Sequence, residues 1–284
     1  MIGVDSDREA ARGTKGESIV GTFITRLAVC ALALLSLTAR ALAADGDTVY
    51  DITHFDVLPV TSPYDSEQIA YPALFAYRDA SEADPGSESF RIVNWQAATN
   101  HSFIVDVWKN RQAFEAHLAQ PHSVAFRFAV QILSGPNSGC CIGSPIDDRQ
   151  YTLVKSIGTP FVSPQIPGTV GTSGALFVIT YVDFLVDGDP GNGQNQLVQY
   201  GAVTADANGP HLINYTVLQQ VNRSNRYVLL EVWDSAANYN AWNSSSVTTE
   251  FVSGVTPLLG SPLDSRLNSL CGETYVDGTG CTLP

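Results

Sequence analysis

The chain has 284 residues, is acidic with 28 Asp and Glu against 15 Lys and Arg for a formal net charge of -13, and is 44% hydrophobic. That balance excludes nucleic acid as a partner, because such binding rests on neutralising phosphates with Lys and Arg. No basic amphipathic stretch points to a membrane surface, and the length exceeds one ordinary domain and suits two.

Residues 1–43 read as a leader rather than as folded protein. The apolar run 27–38 follows Arg26 and ends near Ala41-Leu42-Ala43, a small-Xaa-small cleavage pattern. At about 1.5 Å per residue it is too short to cross a bilayer of roughly 30 Å. The expectation is export, to a periplasm or to the medium, with no stable membrane anchor. In the exported chain Cys140, Cys141, Cys271 and Cys281 remain; an even number in that setting implies disulfides, with three connectivities open and pairing of the adjacent cysteines with the carboxy-terminal tail favoured over pairing with each other. Neither pair has the spacing of a zinc site.

The elements then follow in order. Residues 51–58 alternate and are rich in β-formers, with Ile52, His54 and Asp56 on one face and Thr53, Phe55 and Val57 on the other. Residues 66–80 have helical spacing, and Asp84-Pro85-Gly86 is a turn. Strands at 90–97 and 103–108 form a hairpin across Thr99-Asn100-His101. A short helix (111–119), a break at Pro121, a longer helix (121–133) and a strand at 149–157 complete the order βαββαβ. This is the α+β, ferredoxin-like arrangement, with helices on one face of an antiparallel sheet. Residues 158–174, aperiodic and rich in Gly and Pro, read as a linker.

After the linker the pattern restarts, which makes the chain a duplication. A strand at 176–185, a helix at 194–202, a turn at Asp206-Ala207-Asn208-Gly209-Pro210 and a hairpin of 215–220 with 227–233 repeat the first half. Phe103-Ile104-Val105-Asp106-Val107-Trp108 is answered by Val228-Leu229-Leu230-Glu231-Val232-Trp233, and Phe126 by Phe251. Gly143-Ser144-Pro145-Ile146-Asp147-Asp148-Arg149 is answered by Gly260-Ser261-Pro262-Leu263-Asp264-Ser265-Arg266. The domains expected are 44–157 and 174–271, joined by 158–173 and followed by a tail at 272–284.

The segment Asp106-Val107-Trp108-Lys109-Asn110, continued by Ala113-Phe114, Ala116-His117-Leu118 and Pro121-His122, closely resembles the antibiotic biosynthesis monooxygenase domain family. The resemblance is strong over residues 47–157 and weaker over 174–270. It implies a dimeric α/β barrel in which two ferredoxin-like sheets face each other, here built within one chain, so that a monomer with a pseudo-dimeric barrel is expected. It also implies cofactor-free oxygenation of an electron-rich aromatic such as a quinol or anthrone, with molecular oxygen as co-substrate, no cofactor and no metal. The alternative on the same fold is a non-catalytic protein that binds a small molecule or haem.

Four of the five histidines lie in the first repeat. His54, His117 and His122 correspond to Tyr181, Trp242 and Val247, so any active half is the first and the second is degenerate. These three histidines are the candidate bases, with Asn94 and Asp106 as polar anchors and Trp108 as a stacking wall. Each also has a plain role: His117 as a satisfied core imidazole, His122 as a helix-start hydrogen-bond partner, Asp56 as a structural carboxylate because Asp183 keeps it, and Trp108 as core because Trp233 keeps it. His117 and His122, five apart, lie about 140° apart on an unbroken helix at 100° per residue; only the Pro121 break can bring them together.

Overall fold

The computed structural model describes residues 47–56, 66–98, 101–133, 146–166 and 175–270. The leader and the four cysteines with their expected disulfides lie outside the described residues. The first repeat runs β1 (Val49–Asp56), α1 (Ser66–Glu82), β2 (Ser87–Trp95), β3 (His101–Trp108), α2 (Arg111–Leu118), α3 (Pro121–Leu133) and β4 (Asp147–Gly158). The second runs β5 (Leu176–Asp183), α4 (Pro190–Asn208), β6 (Leu212–Gln220), β7 (Arg226–Trp233), α5 (Ala236–Asn243), α6 (Ser246–Val255) and β8 (Asp264–Leu270). Among the described residues no helix is long and apolar enough to cross a membrane.

Each repeat forms a four-stranded antiparallel sheet, β4-β1-β3-β2 and β8-β5-β7-β6, and the two join edge to edge into one closed barrel. The joins are β4 with β6, from Tyr151↔Gln220 to Gly158↔Asn214, and β2 with β8, from Val93↔Leu270 to Trp95↔Asn268. Closure matters because an open edge strand presents unpaired backbone groups, and here each sheet covers the other's edges.

The two-residue period of the strands separates two chemical layers. Tyr50 and Ile52 of β1 and Phe103, Val105 and Val107 of β3 point into the barrel and pack with Phe177, Ile179, Val228 and Leu230 of the second sheet. The alternate residues, Val49 and Trp108 with Phe114, and Phe55, Phe90, Ile92 and Ile104 with Tyr71, Leu74 and Tyr77, pack under the helices. His54 and Asp56 therefore face the barrel, whereas Asp51, Thr53 and Asp106 face the helices.

Besides shifts of two or three residues at element ends, those of β2, β3 and β6 among them, two segments differ from the sequence reading. Helix α4 begins at Pro190 and runs through Asn208, longer than the expected 194–202. Asp189 caps it by accepting from the Asn192 amide at 3.0 Å, and the expected Asp-Ala-Asn turn is its last turn, ended at Gly209 with φ 48°. The supposed linker contributes core: Phe161 and Ile166, 1% and 0% exposed, insert into the barrel interior. The Arg91 guanidinium lies 4.6 Å over the Phe161 ring and reaches the Ser163 carbonyl at 3.5 Å.

Candidate active site

The sheet–helix layer of the first repeat holds a connected set of polar side chains. Asn110 caps α2 by accepting from the Ala113 amide at 2.9 Å, which sets the helix that carries Phe114 and His117 inward. The turn before β2 is pressed against the same helix. Gly86 has φ +90°, and a Cβ there would lie 2.5 Å from the Ala113 side chain, so only glycine lets the turn approach this closely. The approach delivers Asp84 to His117.

His117 is 1% exposed and has both ring nitrogens engaged. Its Nδ1 lies 2.8 Å from Asp84 Oδ2, and its Nε2 lies 2.8 Å from the Tyr77 hydroxyl. Burial pushes the imidazole below its ordinary value against the opposing pull of Asp84, and burial with the nearby Asp106 charge pushes the Tyr77 phenol up. A phenol that stays protonated donates to Nε2, which leaves the proton on Nδ1 directed at Asp84. The break between α2 and α3 turns His122 back, so that its Nε2 reaches the same Asp84 oxygen at 3.0 Å. His117 and His122, apart on an unbroken helix, thus share one carboxylate.

Beneath these lies a buried carboxylate pair. Asp51 on β1 stands directly opposite Asp106 on β3, and both are 3% exposed. Asp106 accepts from the Trp108 indole at 2.6 Å, and Asp51 accepts from the Thr53 hydroxyl at 3.0 Å. The second oxygen of each lacks a hydrogen-bond partner among the described residues. Desolvation pushes Asp106 up to about 7. Desolvation, Asp106 and Asp148 push Asp51 well above the usual carboxylate range. Arg127, which donates to Asp148 at 2.7 Å, supplies the local cation. Asp51, Asp106, Tyr77, His117 and Arg127 border a void of about 10 Å³, room for about one water.

The remaining candidates fall elsewhere. Trp108, fully buried, stacks on His117 with centroids 4.3 Å apart and backs that ring rather than lining the void. Asn94 donates to the Tyr71 hydroxyl at 2.8 Å and accepts from Ser102 at 3.0 Å, so it sits in a buried polar knot under α1. His54 does not join His117 and His122. Strand alternation puts it on the opposite face of the sheet, where it contacts Asp56 at 3.1 Å and borders a cavity of about 280 Å³ at one end of the barrel. That cavity is ringed by Arg149, Tyr151, Tyr181, Tyr227 and Arg266. The repeated Gly-Ser-Pro motif supplies its charges, Arg149 pairing with Asp147 at 2.5 Å and Arg266 with Asp264 at 2.9 Å.

The second repeat shows the same scaffold, with a buried carboxylate that burial likewise pushes up to about 7, but without the histidines or the second carboxylate. Tyr200 stacks on Phe251 at 4.0 Å as Tyr77 stacks on Phe126 at 4.1 Å, and Glu231 accepts from Trp233 at 2.9 Å as Asp106 does from Trp108. In place of His117, however, Trp242 donates to the Tyr200 hydroxyl at 3.0 Å, and Val178 stands opposite Glu231 where Asp51 stands opposite Asp106. Sequence reading missed Asp51, Tyr77, Asp84 and Arg127. The one available signal was Asp51 against Val178 in the aligned strands.

Comparison with known proteins agrees with this architecture. A family model described as antibiotic biosynthesis monooxygenase matches residues 64–128 and 186–253. A protein from Fusobacterium nucleatum assigned as a monooxygenase superposes with TM-score 0.63 at 11% identity, covering 84% of this chain and 98% of its own. A second so assigned, from Lactobacillus acidophilus, gives 0.56 at 13% identity, with 79% and 94% covered. An anthrone oxidase-like protein gives 0.53 at 14%, with 83% and 98% covered. At these identities the likeness is one of fold. No curated protein matches the chain. The chain carries a tandem pair of antibiotic biosynthesis monooxygenase domains closed into an α+β barrel, and its role is of the general monooxygenase-like or small-molecule-binding kind.

Proposed function

We propose that this protein is an exported, cofactor-independent monooxygenase-like protein that acts on a quinol or anthrone-type aromatic with molecular oxygen, from the sheet–helix layer of the first repeat. The observation that carries the reading is the asymmetry between repeats. One scaffold appears twice, and only the first copy couples a buried carboxylate pair to a Tyr–His–Asp chain. Asp106, at about 7, is matched to take a proton near neutral pH, where a general base gives roughly 10²- to 10⁴-fold in rate. Tyr77 relays a second proton to His117, and Asp84 holds the resulting imidazolium. The deprotonated aromatic transfers electrons to oxygen, a C–O bond forms, and loss of water leaves the quinone. Because the void holds about one water, an aromatic enters only as α2 and α3 move away from the sheet.

Oxygen uptake with a hydroquinone and with anthrone tests this. The wild type consumes oxygen, and Asp106→Asn and His117→Phe each lose about 100-fold or more in kcat while keeping the wild-type circular dichroism spectrum. Absence of uptake with either compound overturns the enzymatic reading. It leaves a binding protein, which the open cavity of about 280 Å³ at the barrel end favours. Export is tested by finding a mature amino terminus near residue 44 outside the cytoplasm.

A further inference from the structure

We infer that His54, Asp56 and His101, at the open end of the barrel, form a binding site for a divalent first-row transition metal of the zinc or cobalt type. Their donor atoms lie within 4.8 Å of one another. His54 Nε2 is 3.1 Å and His101 Nδ1 is 2.5 Å from the same oxygen, Asp56 Oδ1. At metal–ligand distances of about 2.0–2.2 Å, donors of one ion sit roughly 3–4 Å apart, so small side-chain movements suffice to enclose an ion. Although they converge, Asp56 Oδ1 and His101 Nδ1 do not form a hydrogen bond of acceptable geometry with any described residue. Two imidazoles and a carboxylate suit zinc, cobalt, nickel or ferrous iron rather than magnesium or calcium.

The second repeat is an internal control. Asp56 stands opposite His101 in the β1–β3 register as Asp183 stands opposite Arg226 in the β5–β7 register, and His54 corresponds to Tyr181. There the carboxylate has its own cation, Arg226 at 3.5 Å. In the first repeat the same carboxylate faces two imidazoles instead of an arginine, and a bound metal ion supplies the missing charge. Arg266, whose Nη1 lies 3.5 Å from His54 Nε2, is itself paired with Asp264. His54 borders the cavity of about 280 Å³, which leaves coordination positions open to water or to a small ligand. The other such cluster among the described residues, Asp84 with His117 and His122, is already knit by hydrogen bonds from both imidazoles to Asp84, whereas Asp56 Oδ1 and His101 Nδ1 have no such partner.

The untagged full-length chain, stripped with chelator, is titrated with Zn²⁺ by calorimetry and with Co²⁺ by visible absorption. The expected result is one equivalent bound with the weak d–d bands of nitrogen and oxygen ligation. Affinity should fall about 100-fold or more in His54→Ala and in His101→Ala and stay within about twofold in His122→Ala. His101→Arg, which copies the Asp183–Arg226 pair, should melt no lower than wild type and bind no metal. That separates loss of a ligand from loss of the fold. The inference is overturned by no saturable binding in the wild type, by binding that survives in folded His101→Arg, by loss in His122→Ala, or by thiolate-to-cobalt charge-transfer bands.

Discussion

Asp51 shows what a duplicated chain reveals at single-residue resolution. The scaffold needs no carboxylate at that position, because the second repeat fills it with Val178 opposite an equally buried Glu231. Burial raises both Asp51 and Asp106, with Asp106 pushing Asp51 further up, and the sign of the consequence follows. Folded-state values above those of the unfolded chain give stability that is complete below about pH 4 and is lost as the pH rises through about 7, the value to which Asp106 is pushed. His117, lowered by burial, acts in the opposite direction, its contribution falling as the pH drops below about 6.5. Asp51→Val is therefore expected to raise the melting temperature at pH 8 and to flatten the decline between pH 6 and pH 8, by on the order of a few kcal/mol in unfolding free energy. Thermal unfolding across that range is the measurement, and an unchanged slope would refute the carboxylate pair as its source. The same variant should lose oxygen uptake, the usual exchange of stability against function at a site.

At the scale of elements, period and turn chemistry made most of the fold readable, and the exceptions have physical causes. The strands, the hairpins, the Pro121 break and the repeat were legible because alternation and helical spacing survive in both copies. His117 and His122 were legible as histidines retained in one copy. Asp84 was not, because an Asp before Pro-Gly reads as a turn former, and only the packing of Gly86 on Ala113 turns that residue toward His117. The separation of His54 from the other two was implicit in the alternation of β1, which puts Asp51 and His54 on opposite faces. The role of 158–166 was hidden because a segment held by two anchors has no period. Those anchors give a test. Phe161→Ala removes a ring that is 1% exposed from the barrel interior, and about 3–5 kcal/mol of unfolding free energy should be lost in denaturant titration. A loss within about 0.5 kcal/mol, typical of a surface position, would mean that the segment is a tether and no part of the core.

For the whole molecule, the question is what the second repeat contributes without the histidines and the second carboxylate. The barrel core answers it, for Tyr50, Ile52, Phe103, Val105 and Tyr151 share one buried cluster with Phe177, Ile179, Leu218, Val228 and Leu230 from the other sheet. The edges of β4 and β2 are likewise covered by β6 and β8. The second repeat thus serves the first as a permanently attached subunit, with its edges and apolar face supplied at an effective concentration fixed by the short connection. Freed from the need to match an identical copy, it is able to replace His117 with Trp242 and Asp51 with Val178 while keeping the Tyr200–Phe251 stack that seals its own helices. The full-length chain is expected to be a monomer by light scattering, with a melting temperature independent of concentration. Residues 44–166 alone expose half a barrel and two open edges, so they should form a homodimer whose melting temperature rises with concentration. A dimeric full-length chain beside a monomeric, stably folded first repeat would mean that the sheets do not depend on each other. The account of why the degenerate repeat persists would then fail with it.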